Sequence, residues 1–130
     1  MRKICLAAAL SAVMMFAALP GHAAATHDVT ANGASFGTVY TAPAVQAKGG
    51  DSIDFINADV SDLAPHSLTF DDSSALCKGS APGPAHVACT TGTIGTAKHK
   101  TITLNDNIPS GPYRFHCTVH ATMVGVVIVS

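Results

Sequence analysis

The sequence predicts an all-β protein, organised as an antiparallel β-sandwich of about seven to eight strands. Beyond residue 25 no helical periodicity is present, and no stretch without Gly or Pro is long enough to suggest a long helix. Short segments of strand-like composition recur there instead, separated by clusters of turn residues. The eight acidic residues are all Asp, a residue that is unfavourable inside helices and common in turns.

Seven segments have the composition expected of strands. Gly49 to Asp51 predicts a tight hairpin turn between the second and the third of them. Residues 105–107 and 109–112 supply further turns, whereas residues 71–97 form a long connection rich in small and polar residues. The predicted strands are Ser35–Tyr40, Ala44–Lys48, Ser52–Asn57, Ser67–Phe70, His99–Leu104, Tyr113–Cys117 and Val124–Val129.

Residues 1–25 have the three-part pattern of a secretory signal peptide. Two basic residues are followed by an apolar run over residues 4–19, and cleavage is expected after Ala23 or Ala25. A retained membrane anchor is the alternative, but the apolar run of about 16 residues is shorter than the roughly 20 that span a bilayer. The protein is therefore expected in the periplasm, with no stable membrane insertion after cleavage.

The remaining chain, residues 26–130, is expected to form a single domain and to act as a monomer. Its 105 residues suffice for one core but not for two. Five basic and eight acidic residues give it a net charge near −3. Nothing in it resembles the basic surface of a nucleic-acid-binding protein.

Three cysteines remain once the signal peptide is removed, and an odd number in an exported protein leaves one thiol for another use. Cys77 and Cys89 flank a segment rich in Gly, Pro and Ala, so a disulfide between them would staple the loop at residues 71–97. Closing such a loop contributes roughly 3 kcal/mol in the chain-entropy model. A rival pairing joins Cys117 to one of these two; otherwise Cys117 is the free thiol.

A thiol, an imidazole and a thioether lie within seven residues of one another, at Cys117, His120 and Met123. A further imidazole, His66, follows Pro65 in an earlier segment. Two His and one Cys with a weak axial Met are the ligands of blue-copper electron-transfer sites. Zinc also binds Cys and His, but a thioether is a poor zinc ligand. This spacing therefore favours a copper site.

Strand alternation separates the neighbouring histidine from this group. Side chains two residues apart share a face of a strand, so Tyr113, Phe115 and Cys117 are predicted to face the core. His116 then faces the other way and is expected to be a surface residue. His27, His86 and His99 are expected to be solvated residues of strand ends and loops.

The segment around Pro65-His66, together with residues 113–125, resembles the cupredoxins, the small blue-copper proteins of plastocyanin and amicyanin type. The C-x-x-H-x-x-M spacing is similar to that of amicyanin. The resemblance implies a cupredoxin-like Greek-key sandwich that binds one copper ion, cycling between Cu(I) and Cu(II). It implies His66, Cys117 and His120 as equatorial ligands and Met123 as the axial ligand. It also implies that the protein is an electron carrier and not an enzyme.

The resemblance also implies an apolar docking patch around His120. Ala64, Pro65, Val119 and Ala121 are the candidates for this patch, where a redox donor or acceptor such as a cytochrome, dehydrogenase or oxidase would bind. The alternative function is a periplasmic copper-binding protein for copper trafficking or tolerance. Such proteins usually carry exposed Met- and His-rich segments, whereas residues 26–130 contain a single Met.

Two residues depart from the family pattern within the ligand loops. Val119 stands where the family often has Pro, and Ser67 where it usually has an Asn that ties the two loops together. A Tyr at position 113 excludes the binuclear copper site of oxidases, which needs a second Cys there. An exported sandwich with a buried free Cys and no metal is the remaining alternative.

Overall fold

The computed structural model describes residues 21–34, 37–41, 43–60, 63–71, 76–79 and 88–130. Within these residues the chain forms eight strands and no helix, so the all-β prediction is confirmed. No helix of the described residues is long and apolar enough to span a membrane. The strands are β1 (Thr26–Ala34), β2 (Gly37–Thr41), β3 (Ala44–Ala47), β4 (Ser52–Asn57), β5 (Thr69–Phe70), β6 (Lys98–Thr103), β7 (Gly111–His116) and β8 (Val124–Val129).

The strands form two four-stranded sheets, in the orders β2-β1-β4-β6 and β3-β8-β7-β5. Both sheets are mixed, because β1 runs parallel to β4 and β3 runs parallel to β8. The predicted antiparallel sandwich thus contains two parallel strand pairs. Parallel neighbours arise here because the chain crosses to the other sheet between the two strands of each parallel pair.

The turn after β3 is such a crossing. The sequence predicts a hairpin at Gly49–Asp51, but β3 and β4 lie in different sheets, so this turn joins the two layers. The Asp51 amide donates to the Lys48 carbonyl at 3.1 Å. Gly50 has a positive φ of 85°, which residues with a side chain rarely adopt.

The core lies between the two sheets and follows the alternation of the strands. In β4, Ile53, Phe55 and Asn57 are buried, while the residues between them are partly exposed. Tyr40 of β2 packs edge-on against Phe55 and Phe115, with ring centroids 6.1 and 5.1 Å apart. These aromatic contacts join the inner faces of both sheets.

The strand missed by the sequence prediction is β1, and the reason is its composition. Only Val29 and Ala31 are buried in the part of β1 whose side chains are described, and the remainder is polar or small. Of the predicted strand at residues 35–40, residues 37–40 fall within β2, while 35 and 36 lie outside the described residues. Residues 1–20 of the predicted signal peptide also lie outside them.

The predicted disulfide is present between Cys77 and Cys89. It staples the connection between β5 and β6, whose residues 72–75 and 80–87, including His86, lie outside the described residues. Residues 88–97 return beside β5, with antiparallel bridges from His66 to Ile94 and from Thr69 to Thr90.

Candidate metal centre

Three of the predicted ligands converge at one end of the sandwich because they lie at the ends of neighbouring strands. His66 precedes β5, and Cys117 follows β7 directly. Met123 ends the loop that returns into β8, and His120 lies in the middle of that loop. Since β5, β7 and β8 are adjacent in one sheet, their connections meet at the same edge.

The donor atoms of the two histidines and the cysteine form a small triangle. The Cys117 Sγ atom lies 3.9 Å from Nδ1 of His66 and 3.9 Å from Nδ1 of His120. The two Nδ1 atoms are 3.1 Å apart. A point equidistant from the three atoms lies roughly 2 Å from each, close to the length of metal bonds to nitrogen and sulfur. The side chains are therefore spaced for one metal ion.

Met123 is the fourth candidate, and hydrogen bonds close its loop. The Cys117 amide donates to the Met123 carbonyl at 3.0 Å, and the Met123 amide donates to the His120 carbonyl at 2.9 Å. The Met123 side chain is buried. The loop is therefore closed by its own backbone, although Val119 occupies the position where the family often has Pro.

Strand alternation gives the orientation that the sequence predicts for β7. Phe115 is fully buried and Cys117 nearly so, and Tyr113 packs against the core. His116 lies on the opposite face, where its Nδ1 contacts the carboxylate of Asp71. Of the described residues, only His66, Cys117 and His120 group together as potential ligands of one ion.

The environment of Cys117 favours its thiolate. Burial alone would raise the pKa of this thiol, but hydrogen bonds oppose burial and lower the pKa to about 6. The Ser67 amide donates to Sγ at 3.4 Å, and further contributions come from His66, His120 and the Val119 amide. A thiolate is the form of Cys that binds metals.

Ser67 ties the two ligand loops together. Its Oγ atom lies 2.9 Å from Thr118 Oγ1 and accepts a hydrogen bond from the Thr118 amide at 2.9 Å. Its carbonyl accepts from the buried Tyr40 hydroxyl at 2.6 Å. Desolvation raises the pKa of Tyr40, with the nearby Cys117 adding to the effect, so the hydroxyl remains a donor. A serine here thus joins the loops as the family's Asn is expected to do.

A carboxylate that was not predicted from the sequence holds the first histidine. Asp59 Oδ2 lies 2.9 Å from Nε2 of His66, and both side chains are fully buried. Asn57 organises the same loop by donating to the carbonyls of Ala64 and Ile94, both at 3.0 Å. The only signal for Asp59 in the sequence is an acidic residue seven positions before the histidine. The signal is weak because the path of the loop between them cannot be predicted from the sequence.

The apolar residues predicted to surround His120 are at the surface. Pro65, Val119 and Ala121 are exposed, and Ala64 is half-buried. Two further apolar side chains, in the loop between β4 and His66, are also exposed, namely Val60 at 74% and Leu63 at 69%.

The remaining described histidines differ in their surroundings. His99 is exposed, as predicted, and lies 3.2 Å from the Asp54 carboxylate. The expectation of a merely solvated residue is wrong for His27, whose Nε2 lies 3.0 Å from the buried Asp51 carboxylate. That carboxylate draws His27 inward from the end of β1.

Comparison with known proteins identifies the family. Residues 25–130 match the family model of copper-binding proteins of the plastocyanin/azurin family. No curated protein matches the sequence significantly. The metal of this family is copper, which is also the metal that a donor set of thiolate and imidazoles favours.

Solved structures of amicyanin share the fold. A reduced amicyanin variant is 22% identical, with a TM-score of 0.54 over 79% of this chain and 82% of that one. The reduced Cu(I) form of another amicyanin variant at pH 4 is also 22% identical, with a TM-score of 0.54 over 88% and 87% of the two chains. An oxidised variant is 24% identical, with a TM-score of 0.53 over 78% and 81%.

Proposed function

We propose that this chain, which belongs to the plastocyanin/azurin family of copper-binding proteins, carries single electrons between redox proteins through one type 1 copper ion. One observation carries the proposal. The sulfur of Cys117, whose surroundings favour the thiolate, and one ring nitrogen each of His66 and His120 lie within 4.8 Å of one another at one end of the sandwich. Two His and one Cys with a distant Met are the ligand set of blue-copper electron transfer.

His66, Cys117 and His120 would bind the ion equatorially, with Met123 as the weak axial ligand. The short distances among the three donor atoms support the equatorial set. The burial of Met123 directly before β8 supports the axial role. Copper, when bound, would supply the one-electron couple between Cu(I) and Cu(II).

The contribution of the protein is to hold these side chains still while an electron moves. Ser67 and Thr118 join the two ligand loops, and Asp59 fixes the His66 ring. The buried rings of Phe115 and Tyr40 belong to the part of the core that supports the site. Because copper prefers different geometries in its two oxidation states, a fixed set of ligands lowers the structural change that each transfer requires.

The apolar surface around His120 is the proposed docking site for redox partners. His120 is the least buried of the three equatorial candidates, and its exposed neighbours Pro65, Val119 and Ala121 give a partner an apolar contact. A cytochrome, dehydrogenase or oxidase would donate or accept the electron there. With a net charge near −3, the monomeric carrier would rely on this patch more than on long-range electrostatic steering.

The proposed location is the periplasm, reached through the signal peptide predicted at residues 1–25. The basic start, apolar run and small residues near Ala23 support this location. A disulfide between Cys77 and Cys89 is consistent with export into an oxidising compartment.

Copper trafficking is the competing function, and the burial of the site opposes it. The side chain of His66 is fully buried and that of Cys117 nearly so, which would slow the transfer of the ion to another protein. A carrier of electrons needs no such transfer, because only its redox state changes. The two histidines and the cysteine therefore suit a resident cofactor better than a cargo.

The test is to add Cu(II) to the purified protein that begins at Thr26. An intense blue colour that cycles with reductant and oxidant is expected, and Cys117→Ser should abolish it. His116→Ala is the matched control, because this adjacent histidine faces away from the site, and it should keep the colour. A colourless complex that loses its copper rapidly to a chelator would instead indicate trafficking, and the absence of copper binding would refute both functions.

A further inference from the structure

Residues 88–97, here called the stapled segment, run beside the chain that carries His66. The His66 amide donates to the Ile94 carbonyl at 3.1 Å, and the Ile94 amide donates to the His66 carbonyl at 2.8 Å. Farther along, the Phe70 amide donates to the Cys89 carbonyl at 3.0 Å. The backbone of His66 is therefore fixed by a segment from the long connection between β5 and β6.

The peptide group that joins His66 to Ser67 links this segment to the cysteine sulfur. Its carbonyl accepts the hydrogen bond from the Ile94 amide, and its N–H, at Ser67, donates to Cys117 Sγ at 3.4 Å. Hydrogen bonds in a chain polarise one another, so a bond to the carbonyl strengthens the N–H of the same peptide as a donor. The Ile94 amide thus acts on the sulfur through one peptide group.

The stapled segment is held at both ends. At its start, Cys89 is joined to Cys77 by the disulfide, and Cys77 forms a bridge with Leu104 next to β6. Near its end, Asn57 donates to the Ile94 carbonyl at 3.0 Å and accepts from the Ala97 amide at 2.8 Å through its own carbonyl.

The middle of the segment is held as well. Lys100 donates to the Thr91 carbonyl at 2.8 Å. The Thr91 hydroxyl, which is buried, accepts from the Leu68 amide at 2.9 Å. Such a set of contacts fixes the position of the Ile94 amide.

We infer that the stapled segment is a positioning element of the metal site, in which the Ile94 amide, anchored by the Cys77–Cys89 disulfide, fixes His66 and strengthens the Ser67 hydrogen bond to Cys117. The inference rests on the proposed function, since it takes His66 and Cys117 as ligands. A hydrogen bond to the thiolate withdraws electron density from sulfur and favours the reduced ion. The segment therefore raises the reduction potential.

The experiment compares Ile94→Pro, which removes the amide donor, with Ile94→Val, which keeps it. Ile94→Pro is expected to lower the reduction potential and to speed hydrogen exchange of the Ser67 amide in the Cu(I) protein by about tenfold. Ile94→Val should resemble the wild type in both. The double variant Cys77→Ala/Cys89→Ala should change both quantities in the same direction, because it frees the start of the segment.

A control for general destabilisation is Val129→Ala, a truncation of a buried residue at the far end of β8. It should lower the melting temperature and leave the potential and the Ser67 exchange rate unchanged. If Ile94→Pro does not fold, the double cysteine variant carries the test. Unchanged potential and Ser67 exchange in the folded variants, with lower stability alone, would overturn the inference.

The two hypotheses fail in different ways. A wild-type protein that binds no copper in a blue form refutes the proposed function. A blue wild-type protein whose potential is insensitive to loss of the Ile94 amide refutes only the inference about the stapled segment.

Discussion

The Nε2 atom of His66 lies 2.9 Å from Oδ2 of Asp59, and both side chains are completely buried. A ring nitrogen that donates to a carboxylate fixes both the tautomer and the orientation of the imidazole. The other nitrogen, Nδ1, is thereby left facing Cys117 and His120. A buried carboxylate beside His66 also places negative charge next to the candidate metal site.

Replacing Asp59 by Asn removes that charge while keeping the size of the side chain. The charge favours Cu(II) over Cu(I), so its loss should raise the reduction potential by about 59 mV for each tenfold change in relative affinity. Affinity for Cu(II) should fall about 10- to 100-fold. Voltammetry and competition with a chelator measure the two effects. Asp106→Asn, at an exposed aspartate, is the control, and an unchanged potential in Asp59→Asn would contradict the role given to Asp59.

The bridge between Ser67 and Thr118 should be measurable as a coupling between the two ligand loops. Ser67→Ala and Thr118→Val each remove one hydroxyl of a pair 2.9 Å apart. Each variant should lower the free energy of unfolding by about 1 kcal/mol. The double variant should cost less than the sum, because the shared interaction is lost only once. Additive losses in denaturant titrations would show that the hydroxyls act independently.

The candidate ligands can be recognised in the sequence because most of them are local. Cys117, His120 and Met123 lie on one short loop, and strand alternation alone separates Cys117 from His116. The disulfide was predicted from the odd cysteine count of a chain expected to be exported and from the segment of small residues between Cys77 and Cys89. These inferences need only the spacing of residues and the geometry of a strand.

The parts that could not be predicted depend on tertiary contacts. The parallel pairing of β1 with β4 is set by which sheet each strand joins, and the polar sequence of β1 does not reveal it. The approach of Asp59 to His66 depends on the course of the loop between them. The contact of the Ile94 amide with the His66 carbonyl joins residues 28 positions apart, across a connection whose sequence predicts no regular structure.

Acid should destabilise the protein partly through Asp51, a buried carboxylate at the opposite end of β4 from Asn57. Burial opposes its ionisation, but hydrogen bonds from the Ala25 and Lys48 amides and from His27 and His22 hold the pKa of Asp51 well below its usual range. His27 and Lys48 lie downstream of both predicted cleavage positions. The hydrogen bonds from His27 and Lys48 to the ionised form would therefore remain after the predicted cleavage.

A depressed pKa in the folded state means that the unfolded chain binds the proton first. The stabilising effect of Asp51 is thus fully present above the ordinary pKa of about 3.9 and is lost as the pH falls below it. Asp51→Asn should lower the free energy of unfolding by about 2 kcal/mol at pH 7. Its stability should also depend less on pH between about pH 5 and pH 3 than that of the wild type. Denaturant titrations of the metal-free protein test this, and an equally steep pH dependence in the variant would contradict it.

Gly125 should tolerate no side chain, because β8 passes close to the core at this position. A Cβ atom there would meet the ring of Phe115 and would lie 2.8 Å from the Pro43 carbonyl oxygen. Neither group can move easily, since Phe115 is fully buried and the other contact is backbone. Gly125→Ala should therefore lower the free energy of unfolding by about 1–3 kcal/mol.

Gly95→Ala is the matched control, because a Cβ at that glycine would have no atom within 4 Å, and its cost in stability should be small. Since Phe115 lies two residues before Cys117 on the same face of β7, Gly125→Ala should also shift the visible spectrum of the copper protein. An equal loss of stability in the two alanine variants would show that close packing at Gly125 is not the cause.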